Sequence, residues 1–186
     1  MNGIEIVRAD AAALDRACGD LCGVLADCVA AGAAVGFLAP LSAGAARGFW
    51  QDTVRPALAA GERRLFLARD AGRVVGTVQL LIAMPPNQPH RCEIAKMMVH
   101  PGWRRRGIGR ALMGAALAAA SAAGRRLVTL DTKQGDAAEP LYRGLGFETA
   151  GVIPDYARDP EGGGLHATVL MYRRLDPEFE PFSYSR

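Results

Sequence analysis

The sequence predicts a mixed α/β domain, with a mostly antiparallel central sheet flanked by helices on both faces. Short β-branched runs and stretches of helical spacing follow one another in the order β, α, α, β, β, β, α, β, α, β, β. Half of the 186 residues are hydrophobic, enough for one core. No internal repeat or linker interrupts the chain, so a single domain over residues 1–186 is expected.

Ile4 to Arg8 reads as the first strand, and Ala11 to Ala31 carries apolar residues at helical spacing up to Gly32. Residues 32–44, with Pro40 among glycines and alanines, read as a loop before a second helix from Ala45 to Ala60. Pro56 lacks an N–H and should bend or shorten that helix. Leu65 to Ala68 and Val74 to Ala83 form a hairpin across Asp70-Ala71-Gly72. Pro85, Pro86 and Pro89 mark an exposed loop, and Glu93 to Val99 is the next strand, closed by Pro101-Gly102. From Gly107 to Ala122, Leu112, Met113, Ala116, Leu117 and Ala120 share one helical face. Leu127 to Leu130 is a buried strand ending at Asp131, and Ala137 to Leu145 is a helix stopped by Gly146. Glu148 to Ile153 and Ala167 to Tyr172 are the last strands, with a glycine-rich loop at 160–164 between them. The tail from about 175 to 186 holds Phe179, Phe182 and Tyr184, and is expected to dock on the domain or on the second subunit of a homodimer.

The net charge of +3 argues against a broad nucleic-acid surface, so any basic site must be local. The N-terminus has no signal-peptide pattern, and no stretch approaches the ~20 apolar residues of a membrane span. A soluble cytoplasmic protein with no membrane or nucleic-acid partner is expected. Cys18, Cys22, Cys28 and Cys92 read as reduced thiols packed as small hydrophobes. His90, His100 and His166 have no partners at zinc-site spacing, so no metal is expected.

The segment Arg104-Arg105-Arg106-Gly107-Ile108-Gly109-Arg110 is the densest functional signal. A diphosphate needs several donors converging from one side, which a glycine-rich turn and the positive end of a helix dipole supply. Gly107 and Gly109 keep side chains out of that cradle, and the arginines add charge, although consecutive arginines cannot all point inward. A dinucleotide fingerprint is the nearest rival, because Gly107-Ile108-Gly109 opens a helix and precedes Asp131 by about 20 residues. Leu112 at the third glycine position, and the long approach from Pro101 to Arg106, count against it. A P-loop fails for want of Gly-Lys-Ser/Thr.

Val99-His100-Pro101-Gly102-Trp103-Arg104-Arg105-Arg106-Gly107-Ile108-Gly109-Arg110-Ala111-Leu112 resembles the V-x-P-x-x-R-x-x-G-x-G-x-x-L signature of the GNAT superfamily of N-acetyltransferases. Downstream, Ala138-Glu139-Pro140-Leu141-Tyr142-Arg143-Gly144-Leu145-Gly146-Phe147 is similar to that family's A-x-x-L-Y-x-x-x-G-F segment. Within the superfamily the chain looks closest to the tabtoxin-resistance type, through Gly32 to Phe37, Glu93 to Val99, Leu130-Asp131-Thr132 and the run from Pro154 to His166. The resemblance implies the GNAT fold, acetyl-CoA as donor, and a small amine as acceptor, an antibiotic or toxin among the candidates. A protein or peptide acceptor, or an acyl-CoA-binding sensor without turnover, is the alternative.

Acetyl transfer requires removal of an amine proton, stabilisation of an oxyanion and departure of a thiolate. Strand alternation puts Glu93, Ala95, Met97 and Val99 on one face and Ile94, Lys96 and Met98 on the other. The resemblance implies that Met97, Met98 and Val99 hold the acetyl and pantetheine groups, and that residues Arg104 to Arg110 hold the pyrophosphate. It makes Glu93 a base and Tyr142 the acid; Asp131, at the end of the neighbouring strand, is the other candidate base, and the two carboxylates could also bind a cationic substrate. The asparagine often found seven residues before that tyrosine is replaced by Gly135. Phe37, Lys96 and His166 are candidate acceptor contacts. Cys92 lacks an activating histidine, so direct transfer is expected.

Overall fold

Asp10 accepts a hydrogen bond from the Ala13 N–H at 2.7 Å, which starts helix α1 (Ala11–Ala30) directly after strand β1 (Ile4–Ala9). Past the helix end, Gly32 takes a φ of +81° and the Ala33 N–H returns to the Cys28 carbonyl at 2.9 Å, closing the last turn. Ser42 then caps α2 (Ala43–Gly48), its hydroxyl accepting from the Ala45 N–H at 3.1 Å. The expected single helix over Ala45–Ala60 is a composite. It widens into a π-helical turn over Phe49–Val54 and resumes as α3 (Arg55–Ala59), with Pro56 in the first turn of α3. Proline is tolerated at a helix start, where its missing N–H breaks no bond.

The computed structural model describes residues 3–175, so the expected docking of the aromatic tail lies outside the described residues. β2 (Arg63–Asp70) and β3 (Arg73–Leu81) join through Ala71 and Gly72, with φ of +47° and +84°, which suits a tight hairpin between twisted strands. β4 (Arg91–Val99) leads through a 3₁₀ turn (Pro101–Trp103) into α4 (Ile108–Ala122), and β5 (Leu127–Lys133) follows. α5 (Glu139–Arg143) is shorter than the Ala137–Leu145 expectation. The last strands, β6 (Glu148–Arg158) and β7 (Leu165–Arg174), are longer than theirs. Together the strands form one sheet in the order β1-β2-β3-β4-β5-β7-β6, antiparallel except between β4 and β5.

Helices cover both faces, as expected. On one face α4 inserts Leu112, Met113, Ala116 and Ala120 among Val78, Leu80, Cys92, Ile94, Val128 and Leu130. On the other, α1 and the composite helix pack Leu14, Leu21, Leu25, Trp50 and Val54 over Leu65 and Leu67. All four cysteines are free thiols, three of them buried. Among the described residues, no helix is long and apolar enough to cross a membrane, and no group of three or more His, Cys, Asp or Glu is placed to hold a metal.

Two departures from regular pairing shape the middle of the sheet. β4 pairs with β5 only from Arg91 to Glu93, opposite Leu127 to Thr129, and the strands then diverge. On its other side, β4 shifts register from Ala95 opposite Gln79 to Met98 opposite Thr77, so Lys96 and Met97 together face Val78. This is a β-bulge, and Lys96 sits in it with φ +50°. The bulge overturns the strict alternation expected of Glu93 to Val99. Ile94 and Met97 belong to the α4 side, whereas Met98 packs into the α1 side. Each bulge residue shifts the face on which its successors fall.

Gly76 lies where β3 passes under this irregular stretch, and a Cβ there would stand 2.9 Å from the Met98 carbonyl oxygen and 3.2 Å from Leu112. The obstructing atom is backbone, so the strand itself must move. Gly76→Ala is expected to cost about 1–3 kcal/mol and to lower the melting temperature by roughly 2–12 °C, as read by calorimetry.

Candidate active site

The divergence of β4 and β5 leaves the β5-facing edge of β4 without a strand partner beyond Glu93. Unpaired strand backbone is a row of hydrogen-bonding groups ready for an extended ligand. The gap opens into a cleft of about 1040 Å³ that runs between the N-terminus of α4 and the start of β7. Ile94, Met97, Met98, Val99 and Leu130 floor it.

At one end stands the arginine-rich turn. Gly107 takes φ +78° as the residue preceding α4, and no side chain caps the helix, so its first N–H groups face the cleft unclaimed. Gly109 is tightly enclosed: a Cβ there would meet Leu141 at 3.1 Å and the Met97 sulfur at 3.7 Å. The arginines divide their work. Arg104, Arg105 and Arg110 line the cleft with Gly107, Ile108 and Gly109. Arg104 Nε also donates to the Val99 carbonyl at 3.2 Å, and Arg110 reaches the Gly144 carbonyl at 3.3 Å. Arg106 lies outside the lining, its guanidinium turned back to the Gly102 carbonyl at 3.3 Å. Behind the turn, His100 accepts from the Gly102 N–H at 3.1 Å and pairs with Asp27 of α1 at 3.0 Å. Cys28 of α1 also borders the cleft and donates to the Val99 carbonyl at 3.4 Å. Burial pushes its thiol pKa up, although Arg104 opposes the shift.

Tyr142 enters from α5. It is 6% exposed, stacks edge-to-face on Phe147 at 6.0 Å, and its hydroxyl bonds no protein group among the described residues. Burial, then the charges of Asp136 and Asp131, push its pKa well above the phenolic range, so the phenol keeps its proton. At the position of the replaced asparagine, Gly135 takes φ +74° and donates its N–H to the Glu139 carboxylate at 3.0 Å.

The far end of the cleft holds Phe37, Lys96, Asp131, Tyr156, Arg158 and His166. Asp131 is exposed at the mouth and accepts from the Thr168 hydroxyl at 3.3 Å. Glu93 is not among the lining residues; its carboxylate turns to Arg91 at 3.6 Å. Asp131, Tyr142 and Lys96 thus share one cavity, which Glu93 adjoins from outside. Lys96 Nζ lies 6.0 Å from the ring centroids of both Phe37 and Phe49, and burial lowers its pKa. The His166 Nδ1 lies 3.2 Å from the Ala167 carbonyl, while its Nε2 is buried without a partner. Lys133 is neutralised by an ion pair with Asp159. Sequence reasoning missed Tyr156 and Arg158, which reach the cleft only because β7 returns beside β5 and carries β6 on its outer side. Both lie in the run from Pro154 to His166 that carries the family resemblance, but nothing in that run gives either a role.

A loop-to-loop contact lies beside this end, where Gly32 to Leu38 of the loop after α1 line the cleft. The Ala39 N–H donates to the Pro160 carbonyl at 2.7 Å, and a Cβ on Gly32 would stand 3.9 Å from the Glu161 carboxylate, so the loop after α1 touches the β6–β7 loop.

Comparisons with known proteins agree with this architecture. The sequence profile of the acetyltransferase (GNAT) family matches residues 37–147. An uncharacterized N-acetyltransferase from the hisH–hisA intergenic region of Azospirillum brasilense is 31% identical over 123 residues, covering 65% of this chain and 71% of that protein. An acetyltransferase structure from Salmonella typhimurium with its cofactor acetyl-CoA superposes with a TM-score of 0.76 at 19% identity, covering 97% of this chain and 98% of that one. A GCN5-related N-acetyltransferase from Kribbella flavida gives 0.75 at 24% identity, covering 93% of this chain and 98% of that one.

The enclosure of Gly109 generates a direct test of the turn as an anion cradle. Gly109→Leu is expected to abolish binding of a pyrophosphate-bearing ligand in calorimetric titration; tight binding by that variant would contradict the cradle.

Proposed function

The chain belongs to the acetyltransferase (GNAT) family, and from that premise we propose that it transfers an acetyl group from acetyl-CoA directly to the amine of a small molecule. Acetyl-CoA-dependent N-acetyl transfer is the activity that family membership carries. The finer reading, a small acceptor, rests on one observation: the Ala39–Pro160 hydrogen bond ties the loop after α1, whose residues Gly32 to Leu38 line the cleft, to the β6–β7 loop. An extended peptide needs an open groove, whereas a recess whose bordering loop is tied down suits a compact amine.

The residues divide the chemistry between them. Ile108 and Gly109 at the start of α4, with Arg104, Arg105 and Arg110, receive the pyrophosphate of the donor. The unpaired edge of β4 at Met97–Val99 receives the pantetheine arm and the acetyl carbonyl, as a strand would receive a neighbour. Asp131, inside the cleft, accepts the amine proton. Glu93, outside it, adds negative charge to the same end without touching the acceptor. Tyr142 donates a hydrogen bond to the coenzyme sulfur as the thioester opens. A thiol has a solution pKa of ~8.5, so a phenol raised by burial keeps its own proton and stabilises the departing thiolate by hydrogen bonding. Cys92 takes no part, being fully buried with its pKa pushed up to about 11 by burial.

The reading is tested by incubating the protein with acetyl-CoA and either small amines or peptides with free N-termini, and following thiol release. Release with small amines is expected to exceed that with peptides; turnover with peptides alone would overturn the small-acceptor reading. Tyr142→Phe should lower kcat by about tenfold or more while acetyl-CoA binding persists. Asp131→Asn should cost roughly 100-fold in kcat and Glu93→Gln less than about tenfold. Cys92→Ala should keep turnover, with no acylated protein in the mass spectrum.

A further inference from the structure

Lys96 is one of the cleft residues that the chemistry above leaves unused. The β4 bulge holds it at φ +50° and aims its side chain into the acceptor end of the cleft. Phe37 and Phe49 flank the ammonium, and Gly36 closes on it so tightly that a Cβ would stand 3.3 Å from Nζ. Rings offset a cation's charge but give its three N–H donors no proper acceptor. No carboxylate lies within 4.0 Å of this ammonium among the described residues.

The surrounding charges sharpen the point. Asp131 and Glu93 attract the ammonium from a distance, and Arg63 repels it. Glu93 is engaged by Arg91, and Asp131 stands exposed with Thr168 as its hydrogen-bond partner. The cleft's second ammonium, Lys133, is already neutralised by Asp159, whereas Arg158 has no ion pair among the described residues. A purely cationic amine entering here would meet Lys96 and Arg158 as like charges, which disfavours it. An amine that also carries an acidic group meets an attraction at each end.

We propose that the acceptor is an amine of the amino-acid class, whose carboxylate pairs with Lys96 while its amino group faces Asp131. This rests on the small-amine reading and narrows it. Lys96 then acts as a specificity-determining residue, and its unmet donors are completed by the substrate.

The test is thiol release from acetyl-CoA with matched acceptors, free amino acids against the corresponding amino-acid carboxamides, for the wild-type protein, Lys96→Met and Lys96→Arg. The wild type should favour the free acids in kcat/KM by roughly 10- to 100-fold, the range of a charge-assisted hydrogen bond. Lys96→Met should bring that ratio to within about threefold of unity, mainly through KM, and Lys96→Arg should restore part of it. Cooperative thermal unfolding of each variant separates lost selectivity from lost fold. Carboxamides turned over as well as free acids by the wild type, or a ratio unchanged in Lys96→Met, would overturn the proposal and leave the small-amine reading standing. Release with neither set but with other small amines would overturn this proposal alone, and release with no small amine would overturn both.

Discussion

β4 and β5 run parallel for three paired positions and then part, and nearly every functional feature follows from that parting. A strand that loses its neighbour in mid-sheet must leave backbone donors and acceptors unpaired, a cost few folds accept in their interior. Here the exposed edge faces a cleft instead of a core. The same divergence lets the α4 N-terminus and the end of α5 approach the gap from the side of the main core. The loop after α1 and the β6–β7 loop approach from the other end.

The bulge at Lys96 and Met97 is the second half of the same device. One extra residue on β4 increases local twist, turns Met98 into the α1-side core and frees Lys96 to enter the cleft. Gly76 lets β3 lie close beneath it. The arginine-rich turn is braced by its own charged groups: Arg104 ties to Val99, Arg106 to Gly102 and Arg110 to Gly144. The helix N–H groups and the charge of the lining arginines are thereby held in place before a ligand arrives, which reduces the ordering that binding must supply.

The sheet and its helices were legible in the sequence because their signals are local. The apolar runs of β2 and β3, the Ala71-Gly72 turn and the apolar face from Leu112 to Ala120 each need only a few neighbouring residues to be read. The departures arise where long-range pairing decides. Nothing in Glu93-Ile94-Ala95-Lys96-Met97 marks a bulge, since the extra residue exists only in relation to Val78 across the strand pair. The composite helix was half legible, in that Pro56 signalled trouble but not the π turn that precedes it. In the site, the phosphate turn and Tyr142 were readable as motifs. Glu93 and Asp131 looked equivalent until the divergence put Asp131 in the cleft and left Glu93 beside Arg91.

The proposed donor site joins the unpaired edge of β4 to the open α4 N-terminus. Amide hydrogen exchange with and without acetyl-CoA tests this most directly, because both features are backbone groups. Exchange should slow at Met97–Val99 and at Ile108–Arg110 together, with little change along the outer strand β6. Protection confined to other segments, or none at saturating acetyl-CoA, would contradict it.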